Sequence, residues 1–189
     1  MHVVITGANR GIGAALAAAY ADLDHEVTGT ARGADAAHPL DVTDPEAQGR
    51  FARALEGRAV DLLICNAGVY PDKGHDLTSG FDADTWAAAL STNVTGVFLT
   101  IQSLLPHLAR AETPKIAILS SIMASDARAP GGSYAYRASK AAALNLGRNL
   151  AVDLAPKGIA LGIYHPGWVR TDMGGDEADI DVDEARDGL

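Results

Sequence analysis

A single cysteine, Cys65, occurs in 189 residues, so no internal disulfide can form, and the chain fits a reducing compartment. No apolar run approaches the ~20 residues of a membrane span, because charged or turn residues interrupt each candidate. The first residues carry no basic, apolar leader, which predicts no secretory signal. These absences together predict a cytoplasmic location. Basic excess is missing too: the net charge is −9, and no Lys/Arg stripe marks a nucleic-acid partner. The histidines at 2, 25, 38, 75, 107 and 165 lack ligand spacing, so no metal site is expected. Repeats, linkers and a second domain are also missing, and 48% apolar content with 21% charge reads as one globular unit.

The charge is unevenly placed. Residues 176–187 hold seven acids and one base, −6 of the total −9. This divides the chain into a domain over 1–175 and an acidic segment over 176–189, expected to be solvated or poorly ordered.

What the chain does have begins at its first residues. Val3, Val4 and Ile5 read as a buried parallel strand. Thr6-Gly7-Ala-Asn9-Arg10-Gly11-Ile12-Gly13 then turns into an alanine-rich helix. Glycines let the backbone bend sharply and lie close to another molecule. A helix N-terminus directs free N–H groups and partial positive charge at one spot, which suits a phosphate. The Gly-x-x-x-Gly-x-Gly spacing differs from the commoner Gly-x-Gly-x-x-Gly fingerprint.

Further strands are expected at 26–30, 39–42, 60–65, 116–119 and 159–164. Helices are expected at about 45–56, 82–89, 93–109 and 133–155, with a polar loop over 70–80. Apolar strands alternating with helices predict an α/β fold, a Rossmann-type doubly wound parallel sheet of six visible strands. Ligands of such sheets bind beyond the carboxyl ends of the strands. There stand Gly7 to Gly13, Arg32, Asp41, Asn66-Ala67-Gly68, Ser120-Ser121 and His165-Pro166-Gly167.

Tyr136 and Lys140 share one face of the long helix, four residues apart. A free phenol has a pKa near 10. A neighbouring ammonium is expected to lower it, which fits Tyr136 for proton exchange with a carbonyl oxygen. Cys65 is expected to be a small core residue, and His165 structural. Tyr70, Met123, Tyr134, Trp168 and Met173 fall on rim loops suited to an apolar substrate pocket.

Taken in order, the glycine turn, Asn66-Ala-Gly68, Asn93, Ser121, Tyr136-x-x-x-Lys140 and Pro166-Gly167 closely resemble the classical short-chain dehydrogenase/reductase family over about residues 1–173. Tyr136 to Asn145 and His165 to Gly175 look most like its C-factor-type carbonyl reductases. The resemblance implies Tyr136 as acid/base, Ser121 (with Ser120 the neighbouring alternative) as its substrate-orienting partner, Lys140 on the nicotinamide ribose, and Asn93 anchoring a proton-relay water. It implies cofactor contacts from Gly7, Asn9, Arg10, Gly11, Ile12 and Gly13 and from Arg32. Asp41 and Val42 would lie at the adenine, and Asn66, Ala67 and Gly68 on the adenosine side. Pro166 and Gly167 would also contact the cofactor, and Val169 and Thr171 would fix the carboxamide. It implies a small carbonyl or alcohol substrate and a homodimer through the helices at 93–109 and 133–155.

Family members usually add a seventh strand after the point where this chain stops, so either a shortened chain or a reduced member is expected. An acid at the end of the second strand would hold the 2′-hydroxyl of NAD. None occurs over 27–34, whereas Arg10 and Arg32 suit a 2′-phosphate. NADPH is therefore expected over NADH. The rival expectation is a cofactor-binding regulatory or signalling protein without significant turnover.

Overall fold

β1 (His2–Thr6) has all five residues buried because it lies inside the sheet, covered on both faces. Val3 and Ile5 meet Leu16 and Ile64 on one side, while Val4 meets Leu63, Cys65 and Val97 on the other. This two-residue alternation explains why a continuous apolar run is needed at the centre of a parallel sheet. The chain is described here from a computed structural model covering residues 1–78 and 81–189. The final two positions of the loop expected over 70–80 therefore lie outside the described residues.

After β1 come α1 (Gly11–Asp22), β2 (Glu26–Thr30), α2 (Pro45–Ala54), β3 (Leu62–Cys65), α3 (Ala83–Leu90) and α4 (Gly96–Leu108). β4 (Lys115–Leu119), α5 (Tyr134–Leu154), β5 (Ala160–Tyr164) and α6 (Val182–Asp187) complete the order. The sheet runs β2-β1-β3-β4-β5, with every neighbouring pair parallel. The chain leaves β1 toward β2 and returns on the far side as β3. The carboxyl ends of β1 and β3 therefore flank the crevice where such sheets bind ligands.

Among the described residues the sheet has five strands, not the six expected. Residues 39–42 make only one bridge, Ala31 to Pro39. The Leu40 N–H donates to the Ala31 carbonyl at 2.8 Å, and just beyond it Asp41 turns the chain by accepting from the Thr43 N–H at 2.9 Å. Leu40 and Val42 are still buried, so apolar character at these positions reflects burial and not strand pairing.

The two helices expected at 82–89 and 93–109 run on through a π-helical turn at Ser91–Thr95. The resulting 26-residue helix is long and apolar enough by composition to cross a membrane. Its stripe of Val97, Ile101, Leu104 and Leu108 instead packs into the core on the sheet.

The acidic end keeps most of its carboxylates exposed, as expected of a solvated segment, but it is folded and not poorly ordered. Asp181 accepts from the N–H groups of Asp183 and Glu184, and Glu184 Oε2 accepts from the Asp181 N–H, closing a capping box on α6. Arg170 lies within 4 Å of both Asp181 and Glu184. Ile180 pairs back to residues 168–170, Ala178 and Ala185 are buried, and α6 packs on α1. Carboxylate caps and ion pairs act together with the buried alanines to order this end.

Candidate active site

Gly7 (φ +68°) and Gly11 (φ +54°) adopt the left-handed conformation that glycine reaches without strain. Asn66 ties this turn to the end of β3. Its Nδ2 donates to the carbonyls of Thr6 (2.8 Å) and Gly7 (3.0 Å), while the Thr6 hydroxyl accepts from the N–H groups of Asn66 and Ala67. Beside them opens a cleft of about 810 Å³. Gly7, Asn9, Arg10, Gly11 and Ile12 form one wall; Arg32, Asp41 and Val42 lie beyond β2. Asn66, Ala67, Gly68, Tyr136, Lys140, Pro166 and Thr171 complete the expected set along it.

Three expected contacts stand behind this wall. Gly13 packs directly under Gly7, Gly167 lies against Ile180, and Val169 is buried and bridged to Ile180. Asp41 is held below the usual carboxylate range by two hydrogen bonds from Thr43, with the Arg32 guanidinium adding to the effect. Arg10 forms an exposed ion pair with Asp172, a partner that nothing local in the sequence pointed to.

Tyr136 is 7% exposed at the inner end of the cleft. The Ser121 side chain stands near enough to its phenol to lower the pKa. The Ser120 hydroxyl instead donates to the Lys140 carbonyl at 3.3 Å, so Ser121 is the serine aimed at the phenol. The Lys140 ammonium donates to the Leu119 carbonyl at 2.9 Å and lies 5.7 Å from the Tyr136 ring centre. Asn93, fully buried in the π-helical turn, clasps both backbone groups of Val69 at 2.9 Å and donates to the Ser139 hydroxyl.

The expected drop in the Tyr136 pKa is not found. Burial pushes the phenol up to about 12, against the opposing pull of the Ser121 side chain and with a further rise from Tyr70. Burial also lowers Lys140 to about 8. Desolvation is the largest cause of both shifts. The phenol is therefore protonated at neutral pH.

A stability prediction follows from Lys140. Its folded value of about 8 lies below the ordinary 10.5, so the unfolded chain binds the extra proton between those pH values. Stability then rises as pH climbs through that window. Lys140→Met is expected to melt above the native chain at pH 7, by at most about 3 kcal/mol, with the gap shrinking toward pH 10. Thermal unfolding across pH 6–10 checks this, and a constant gap contradicts it.

Cys65 is buried in the core, with its thiol pushed up to about 12. His165, beside the cleft at the end of β5, has its pKa lowered by burial. Tyr70 stacks on Tyr136 with ring centres 4.2 Å apart, and Tyr134 meets Phe81 edge-on. Met173 lines the cleft, and Trp168 is half exposed with its indole N–H on the Gly174 carbonyl. Residues missed by sequence reasoning include Asp72, whose contacts lie more than 60 residues away. Ser139 was visible inside the Tyr136–Lys140 motif but carried no assigned contact.

The sequence profile of the short chain dehydrogenase family matches residues 1–180. C-signal of Myxococcus xanthus is 37% identical over 141 residues, covering 74% of this chain and 83% of that protein. The 3-oxoacyl-(acyl-carrier-protein) reductase FabG of Escherichia coli is 30% identical over 186 residues, covering 90% and 74%. The NADPH-bound carbonyl reductase from chicken fatty liver superposes with a TM-score of 0.90 at 30% identity, covering 100% of this chain and 88% of that one. A glycine turn on the β1/β3 crevice, Tyr136 with Lys140 one turn on along the same cleft, and these likenesses agree. The chain belongs to the short-chain dehydrogenase/reductase family of oxidoreductases.

Proposed function

We propose that the chain is an NADPH-dependent carbonyl reductase or alcohol dehydrogenase in which Tyr136 exchanges the proton at the substrate oxygen. The observation that carries this is the buried Tyr136 side chain, with Lys140 Nζ 5.7 Å from its ring centre, on the cleft that the glycine turn walls. The turn fits the cofactor's pyrophosphate because it stands at the start of α1, whose first-turn N–H groups and dipole favour a phosphate. When bound, the nicotinamide supplies the hydride that reaches the carbonyl carbon.

The remaining work belongs to the chain. Ser121 orients the carbonyl oxygen by hydrogen bonding. Tyr136, a neutral phenol at pH 7, gives that oxygen its proton, a general-acid contribution of roughly 10²–10⁴. Lys140 holds the nicotinamide ribose. Asn93 fixes Val69 and Gly68 beside Lys140 and anchors the water through which protons reach it. Asp41 and Val42 border the adenine, and Thr171, on a segment fixed by Val169, holds the carboxamide. Two relatives named as carbonyl reductases, from chicken fatty liver and Drosophila melanogaster, support this substrate class. Cytoplasmic location and a homodimer through α4 and α5 belong to the same proposal. The half-exposed Phe98 on α4 and exposed Val152 on α5 are available to such an interface, which light scattering tests.

Arg10 and Arg32 both line the cleft and suit a 2′-phosphate, to which charge-assisted hydrogen bonds contribute roughly 1.5–3 kcal/mol each. Arg32→Ala is expected to weaken NADPH binding about ten- to a hundredfold while leaving NADH nearly unchanged. Calorimetric titration of both cofactors reads this out. Equal losses for the two would remove Arg32 from cofactor selection.

A further inference from the structure

Asp72 is fully buried, and no ion pair reaches it among the described residues. Burying a carboxylate is costly unless hydrogen bonds and local dipoles hold its charge. Here they come from a helix 63 residues away. Asp72 Oδ2 accepts from the Ala135 N–H at 2.8 Å, and Oδ1 accepts from the Tyr136 N–H at 3.2 Å. These are free donors of the first turn of α5, where the helix dipole also favours negative charge.

The helix cannot provide this cap itself. Ser133, which precedes it, is left-handed (φ 49°) and makes no capping bond to the first-turn N–H groups. Its hydroxyl is turned to Tyr70. The loop bearing Asp72 is pinned on the site side: Asn93 clasps Val69, and the Tyr70 ring stacks on Tyr136. One short segment thus ties the π-helical turn and the Tyr136 ring to the Tyr136 backbone.

We propose that Asp72 is a positioning residue: its carboxylate fixes the first turn of α5, and so holds the Tyr136 phenol on Ser121. A positional error of the order of 1 Å can cost about a hundredfold in rate without touching ground-state affinity. The inference rests on the reductase reading for its kinetic effect, but the cap itself is readable without turnover.

The test compares the native chain with Asp72→Ala and Asp72→Asn. With NADPH and isatin, an aromatic dicarbonyl probe, Asp72→Ala is expected to lose about tenfold or more in kcat. Its KM for isatin and Kd for NADPH should stay within about threefold of native. Asn keeps one acceptor oxygen, so Asp72→Asn should recover most of that loss. Amide hydrogen exchange should show Ala135 and Tyr136 deprotected in the alanine variant and only one of them in the asparagine variant. Should Asp72→Ala fail to fold, Asp72→Asn still decides, through one deprotected amide and an intermediate kcat.

Unchanged kcat overturns the positioning role. So does a parallel loss of kcat, KM and Kd that asparagine does not relieve. If the native chain itself reduces nothing with NADPH, the reductase reading fails instead. Retained protection of both amides in the variants then overturns the cap as well.

Discussion

Tyr136→Phe is expected to bind NADPH as the native chain does and to lose at least about a hundredfold in turnover. The substitution removes one oxygen from a ring that is 7% exposed. The ring keeps its stack on Tyr70 and its place on α5, whose backbone bonds do not involve the hydroxyl. Ground-state binding should therefore survive, while the proton required at the substrate oxygen loses its donor. Ser121 remains able to hydrogen-bond the carbonyl but has no acidity suited to replace a phenol. The expected pattern is a fall in kcat with KM and cofactor Kd little changed, which marks an interaction made in the transition state. Turnover within about threefold of native would take the proton-transfer role from Tyr136.

Gly13→Ala should strike the other half of the site. A Cβ there stands inside 3.0 Å of both the Gly7 carbonyl oxygen and Asn66 Nδ2, a separation real Cβ atoms do not show. Neither neighbour can yield freely. The Gly7 oxygen is backbone, and Asn66 Nδ2 is committed to the carbonyls of Thr6 and Gly7. The turn itself must therefore move, and with it the N–H groups at the start of α1. Overpacking of this kind costs about 1–3 kcal/mol, equal to roughly 2–12 °C in melting temperature for a domain of this size. Cofactor binding should fall further, by about a hundredfold, because the displaced N–H groups are those that would meet the pyrophosphate. Titration and thermal unfolding read the two effects separately. Native cofactor affinity in this variant would show that the turn does not hold the phosphate.

The contrast between what the sequence disclosed and what it hid has a physical basis. Buried parallel strands must be apolar on both faces, so β1, β3 and β4 were readable. The motif residues at their carboxyl ends came with them, and the cleft does gather the glycine turn, Arg32, Asp41, Asn66 and Tyr136. Residues 39–42 show the weakness of that rule. Leu40 and Val42 are buried without a ladder, because burial and strand pairing are separate requirements. Net charge hid the folding at 176–189, where carboxylates serve as caps and ion pairs around buried alanines. The Tyr136–Lys140 spacing was right about proximity but silent about burial, and burial decides both pKa directions. Asp72 had no local signal, since its partners lie on α5.

The central claim is that this cleft holds NADPH so that Tyr136 can protonate a carbonyl. Calorimetric titration of the 189-residue chain with NADPH and, separately, NADH tests it most directly. The account predicts saturable binding of both, with NADPH tighter by about tenfold or more through Arg10 and Arg32. Binding of neither cofactor, or equal affinity for the two, would contradict it.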